Sequence, residues 1–193
     1  MAKRRIVLAS SSPRRRQLMN EVGMEFEVIT SQTEEFVEAE ENASHLVVRL
    51  AELKARDVAG RVSECTVIGA DTVVALDDLI LGKPVDETDA VRMLGMLSGR
   101  THTVYTGVCV INADTGYETS SFATTQVTFR SLTDEQIFRY VKTGEPMDKA
   151  GSYAIQGKGT LLIDRIEGEY TNVVGLPMGL LSDLLCKHGI ELL

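Results

Sequence analysis

TVIGADTVVAL, residues 66–76, is apolar at almost every position and carries a single charge, Asp71. Its β-branched residues favour an extended chain, and an unbroken apolar run of strand length predicts burial on both faces, as in a sheet covered by helices. Within such a strand an unpaired carboxylate would be costly to ionise. Asp71 should therefore pair with a cation, bind a metal or keep its proton, and each outcome suggests a functional site. A structural ion pair, or the cap of a loop, accounts for it equally well.

Signals on either side alternate between strand and helix. Before it, RIVLAS (5–10) reads as a buried strand, and PRRRQLMNEV as a helix with Ser12 as cap and Pro13 in the first turn. FEVITS (26–31) predicts a second strand. ASHLVVRLAELKARDVAG (43–60) predicts an amphipathic helix with Leu46, Leu50, Leu53 and Val58 on its apolar side, closed by Gly60. After it, Asp77 and Asp78 turn the chain into LILGKP (79–84), and ETDAVRMLGMLSG (87–99) is a helix. Residues 101–130 read as two long antiparallel strands joined at Ala113–Gly116. TDEQIFRYVKTG is a capped helix, TLLIDRI (160–166) a strand and PMGLLSDLLCKHG (177–189) a terminal helix. With no repeat, linker or low-complexity tract, the expectation is one mixed α/β domain over residues 1–193.

The chain has 193 residues, 28 acids against 20 bases and 44% apolar content, which excludes disorder and a small disulfide scaffold. No apolar run approaches the roughly 20 residues that a membrane span requires. The start, MAKRRIVLAS, lacks the apolar core of a signal peptide, so a cytoplasmic protein is expected. Cys65, Cys109 and Cys186 are too far apart for a disulfide framework or a zinc pair and are expected to be reduced core thiols. A net charge of −8 opposes non-specific nucleic-acid binding. The charge is uneven, however. Lys3, Arg4, Arg5, Arg14, Arg15 and Arg16 precede the first acid, Glu21, whereas Glu34, Glu35, Glu38, Glu40 and Glu41 follow without a base among them. Solvated surface explains such runs as well as a site does.

Several groups could carry chemistry. ASSSPRRR (9–16) offers serine hydroxyls, backbone N–H groups at a helix start and arginine forks, which suit phosphate oxygens. A plain Ser12 cap is the alternative, although three arginines there oppose the helix dipole. Lys54 is in register with Leu46, Leu50 and Val58, so its ammonium reaches either a site or solvent by snorkelling. Lys83, between Gly82 and Pro84, is presented from a turn. In DKAGSYAIQGKG (148–159) the glycines allow close backbone approach, and Gln156 has the donor and acceptor needed to read the imide edge of uracil or thymine. A surface hairpin exposing Lys149 and Lys158 would look much the same. No P-loop, dinucleotide fingerprint or serine elbow is present, and His45, His102 and His188 are scattered. EEFVE (34–38) matches the EExxE of all-helical nucleotide pyrophosphatases, but the abundant strands mark that match as chance.

ASSSPRR (9–15), RLAELKA (49–55), GADT (69–72), GKP (82–84), LSG (97–99), YTGV (105–108), EPMDKAGSYAIQG (145–157) and NVVGLP (172–177) together resemble the Maf family of nucleoside triphosphate pyrophosphatases. The blocks run in order along the whole chain. The resemblance implies an elongated α/β fold with a mixed sheet and two lobes around a deep cleft, similar to inosine triphosphate pyrophosphatases. It also implies a homodimer and a divalent cation, Mg²⁺ or Mn²⁺. DKAGSYAIQG resembles the branch acting on dTTP and UTP, with the methylated-GTP branch as the alternative specificity. By the same resemblance Asp71 is the catalytic acidic residue, and Arg14, Thr72 and Gln156 bear on base choice. Ser10, Ser12, Arg14, Arg15, Lys54 and Lys83 would bind phosphate, and Glu34 with Asp71 would hold the metal. Two departures, the extra Arg16 and Glu35 beside Glu34, leave the choice between the two acids open by one residue.

The expected activity is hydrolysis of a pyrimidine nucleoside triphosphate to monophosphate and pyrophosphate, with removal of surplus or modified nucleotides and a link to division arrest as its physiological setting. A non-catalytic nucleotide-binding regulator is the competing account. Acids beside the bases favour a metal enzyme over a nucleic-acid reader, so neither a nucleic-acid nor a membrane partner is expected.

Overall fold

A computed structural model describes residues 4–34 and 41–193. Residues 66–76 do form a strand, β3, which spans Cys65–Leu76 and is buried over most of its length. Around it lie β1 (Arg5–Leu8), α1 (Pro13–Glu21), β2 (Glu27–Val28), α2 (Ala43–Ala59), β4 (Leu79–Leu81), α3 (Glu87–Leu97), β5 (Thr101–Asn112) and β6 (Glu118–Phe129). The chain ends in α4 (Asp134–Val141), β7 (Ile163–Gly168), α5 (Tyr170–Val174) and α6 (Met178–Lys187). The strands form a mixed seven-stranded sheet in the order β2-β1-β3-β5-β6-β7, with β4 returning on β3. Helices flank it, so the fold is the mixed α/β class expected.

Two compact units divide the chain. The first takes Met1–Asp71, Thr106–Ala123 and Gly175–Leu193. In it β1 pairs in parallel with both β2 and β3. Its core joins Val7, Ala9, Val67 and Ile111 to Ala51, Ala55 and Val58 of α2, with the Cys65 and Cys109 thiols among them. The second unit takes Thr72–Tyr105 and Thr124–Val174. Its core gathers Val74, Leu76, Leu94, Leu97, Val104, Phe129 and Tyr140 around α3 and α4. Each fully buried leucine contributes about 1.5–3 kcal/mol. Asp86 caps α3. Thr133 and Gln136 form a reciprocal capping box on α4, which explains why that short helix starts where its sequence signal begins.

Five expectations change. FEVITS contributes two strand residues, both exposed, because its remaining apolar positions have no neighbouring strand beyond β1 to pair with. Leu46, Leu50 and Val58 of α2 are buried as expected, but Leu53 is half-buried, and Val47, Ala51 and Ala55 complete the packed face in its place. Gly60 ends that helix in a right-handed conformation, not the left-handed one a glycine cap suggests. Thr160–Leu162 belong to a 3₁₀ turn over Gly157–Leu162, which delays β7 to Ile163. Of the cysteines, Cys186 is exposed and is not a core thiol. Among the described residues no helix is long and apolar enough to cross a membrane.

Candidate functional site

In the first unit the site grows from the parallel pair β1 and β3, where Leu8 lies opposite Ile68 and Ala9 N–H donates to the Ile68 carbonyl at 2.8 Å. Ligands in open α/β sheets bind beyond the carboxyl ends of such strands. There β1 turns into α1 through Ser10–Ser12, while β3 continues to Ala70 and Asp71. Ser10 Oγ accepts from Ser12 N–H at 3.2 Å. Ser12 caps α1, its hydroxyl accepting from Arg15 N–H at 3.4 Å, as expected.

Arg15 has a structural role besides the one expected of it. Its side chain is buried, and Nε donates to the Gly175 carbonyl at 2.7 Å while Nη1 donates to Ser10 Oγ at 3.1 Å and to the Ala70 carbonyl at 2.9 Å. A guanidinium that holds two backbone carbonyls and a serine hydroxyl acts as a strut. It ties the serine turn to the residue preceding Asp71 and thereby sets the two sequence motifs side by side. Arg14 is half-buried and Arg16 exposed. The positive island at the front is also partly neutralised, because Arg4 pairs with Asp114, and Nε and Nη2 of Arg5 pair with Glu27. Lys3 lies outside the described residues.

Asp71 is 7% exposed, and Lys54 Nζ of α2 meets its Oδ1 at 2.5 Å. Gly69 is what brings them together. A Cβ on Gly69 would stand 2.3 Å from the Ala51 carbonyl oxygen and 2.8 Å from Ala55 Cβ, so α2 lies directly on the strand at that point. Side chains alternate along a strand, which puts Asp71 on the same face as position 69. Lys54, between Ala51 and Ala55, then overhangs it. Glycine lets the helix approach, and the approach pairs lysine with aspartate. Sequence reasoning named both charges and missed Gly69, although a lone glycine inside an apolar strand signals close backbone approach. Glu34 is exposed, and Glu35 with its neighbours through Glu40 lies outside the described residues.

Thr72, Lys83 and Gln156 belong to the second unit. Thr72 is half-buried, Lys83 exposed and Gln156 half-buried. The segment carrying Gln156 is not a surface hairpin. It is a succession of 3₁₀ turns, Glu145–Asp148, Ala150–Ser152 and Gly157–Leu162. Gly151 N–H donates to the Gly82 carbonyl at 3.0 Å, fastening this segment to the turn that presents Lys83. Ser152 is fully buried at a positive φ of 60°, a conformation costly for a residue with a Cβ. Tyr153 packs edge-on against His102 and Phe129, and its hydroxyl lies 2.8 Å from His102 Nε2. Burial pushes His102 down to about 4 and raises the Tyr153 phenol far above its ordinary value. Glu145 is held below the usual carboxylate range. Burial works against its charge, but hydrogen bonds from Gly159 N–H, Lys158 N–H and the Tyr140 hydroxyl outweigh that cost.

Among the described residues no three His, Cys, Asp or Glu side chains gather as a metal cage. The buried Asp71 carboxylate, midway along β3 and paired with Lys54, fits the other mode, in which Mg²⁺ is held by one or two carboxylates together with a ligand's own phosphates. The donor set thus suits a cation that arrives with its ligand.

These features define an α/β protein with a polar site built where β1 ends and the parallel pairing of β1 with β3 stops. The chain belongs to the Maf family, whose sequence model, described as Maf-like protein, matches residues 5–188. It is 49% identical to a dTTP/UTP pyrophosphatase of Desulforamulus reducens, over 98% of this chain and 99% of that protein. It is 52% identical to one of Thermococcus gammatolerans, over 97% of this chain and 98% of that one. Among solved structures, a HAM1 protein from Coxiella burnetii shares the fold, with a TM-score of 0.54 at 16% identity over 96% of this chain and all of that one.

Proposed function

We propose that this chain is a nucleoside triphosphate pyrophosphatase that hydrolyses dTTP and UTP to the monophosphate and pyrophosphate. The observation that carries the reading is the buried Asp71 paired with Lys54 and tied, through Arg15, beside the Ser10–Ser12 turn. The substrate class is supported by the relatives named dTTP/UTP pyrophosphatase at about half identity over nearly the whole chain.

In this reading the Ser10 and Ser12 turn, Arg14, Arg15, Lys54 and Lys83 bind the triphosphate oxygens, and Arg15 also holds the turn in place. Phosphoryl transfer asks for positioning and charge neutralisation more than covalent help. Asp71 accepts a proton as water attacks the α-phosphorus. A new P–O bond forms there, the bridge to the β-phosphorus breaks, and pyrophosphate leaves with the bridging oxygen. A divalent cation held by Asp71 and Glu34 would neutralise phosphate charge. Gln156 reads the base through its paired donor and acceptor, so cytosine, with the opposite polarity at that edge, leaves buried groups unmatched. Arg14 and Thr72 share in base choice. A cytoplasmic homodimer that clears surplus or modified pyrimidine nucleotides is the setting this reading carries.

The test is pyrophosphate release from a panel of nucleoside triphosphates with Mg²⁺ or Mn²⁺. Release from dTTP and UTP well above dCTP and the purines is expected. A flat profile would overturn the specificity, and no release from any nucleotide would overturn the activity.

A further inference from the structure

The peptide around Gln156 is gripped on both sides, and one carboxylate makes most of the grip. Glu145 Oε1 accepts from Gly159 N–H at 2.9 Å and from the Tyr140 hydroxyl at 2.9 Å, and Oε2 accepts from Lys158 N–H at 3.1 Å. The same Tyr140 oxygen accepts from Ala154 N–H at 3.2 Å. Tyr140 thus joins the residues two before and two after Gln156 through Glu145. Thr160 Oγ1 adds a bond to the Ile155 carbonyl.

Gly157, which follows Gln156, has a φ of 67°, and a Cβ there would lie 2.8 Å from Glu145 Oε2. The carboxylate therefore fills the space a side chain would take, under a loop whose successive N–H groups converge on it. Such N–H concavities select anions. This one is occupied from within the protein by a carboxylate 13 and 14 positions upstream of the two N–H groups.

We propose that Glu145 is a positioning residue for nucleobase selection: its carboxylate fixes the loop 154–159 so that the Gln156 amide meets the base at a single orientation. This inference rests on the reading of Gln156 as the base-contacting group. Helix α4 supplies Tyr140 as the second anchor, so the helix and the 3₁₀ turn act through one hydrogen-bonded junction. An unanchored loop samples several orientations. A mismatched base then finds partners that the fixed loop denies it, and discrimination is lost before turnover is.

The experiment compares Glu145→Gln, Tyr140→Phe and Gln156→Ala with the parent for kcat and KM on dTTP and dCTP, alongside amide hydrogen exchange of residues 154–159. Gln at 145 keeps the size of the side chain and one acceptor oxygen, but turns an N–H₂ toward a backbone N–H. Selectivity for dTTP over dCTP should fall about tenfold in Glu145→Gln, mostly through KM, with faster exchange at Lys158 and Gly159. Tyr140→Phe should show a smaller loss in the same direction. If Gln156→Ala relaxes selectivity while Glu145→Gln and Tyr140→Phe leave it at the parental ratio, Glu145 has no positioning role. Faster exchange in Glu145→Gln with selectivity unchanged in every variant, Gln156→Ala included, would overturn the base-reading role of Gln156 and with it the purpose assigned to the anchor.

Discussion

The two units build their functional segments by opposite means. In the first, side chains on regular elements carry the charges: Asp71 on β3, Lys54 on α2 and Arg15 in α1. In the second, Gln156 sits on irregular backbone, in a segment containing three positive-φ residues, Gly151, Ser152 and Gly157. There the side chains of Glu145 and Tyr140 serve the backbone. Rigid elements suit a reaction that needs reacting atoms held to a fraction of an ångström. A clamped loop suits recognition, because its backbone can follow the outline of a base.

Disturbing either arrangement should therefore give different symptoms. The largest effect is expected from Asp71→Asn, which keeps shape but removes the proton acceptor. Turnover should fall by about 10³-fold, with nucleotide affinity in a direct binding titration largely kept. Near-normal turnover would end the catalytic role of this residue. Arg15→Met comes next. It leaves the Gly175 and Ala70 carbonyls without their donor, and removing a buried group of this kind costs about 3 kcal/mol. A denaturant melt should show that loss, together with weakened nucleotide binding as the serine turn drifts from β3. Intact stability would show that the strut carries no load.

His102 in the second unit predicts a pH effect of similar size. Its unfolded value is the ordinary 6.5 and its folded value is lowered to about 4 by burial, so the unfolded chain takes up the proton first. Above pH 6.5 the residue contributes no penalty. Stability then falls as the pH drops from 6.5 to 4 and levels off below, for a total of about 3 kcal/mol. His102→Gln should flatten that part of the stability profile, and an unchanged profile would contradict it. Gly69→Ala tests the packing itself, because the added Cβ would stand 2.3 Å from a backbone oxygen of α2 and forces the helix to shift. Activity should fall further than stability does, since the shift moves Lys54 away from Asp71. Equal losses in both would mean that the approach of α2 matters for packing alone.

The strands, caps and helix periods were legible because each is written locally. TVIGADTVVAL is apolar throughout, Thr133 precedes Gln136 by three, and Ser12 precedes Pro13. Asp71 stood out for the same reason, as a lone charge in an apolar run. Three features were not legible: the role of Arg15, the packing of α2 through Ala51 and Ala55, and the anchor at Glu145. All three depend on partners far along the chain, such as Gly175 for Arg15 and Gly159 for Glu145. Residue types alone made Arg15 look like its neighbours in an arginine triplet.

The order of amino acids by itself determined the class of fold, the family and the identity of the charged residues, because propensity, periodicity and motif act over a few neighbouring positions. The tertiary structure decided which of those charges meet one another and which meet the backbone. A guanidinium becomes a clamp or a strut, and a glutamate a surface charge or an anchor, according to the acceptors and donors that distant segments bring within hydrogen-bonding reach.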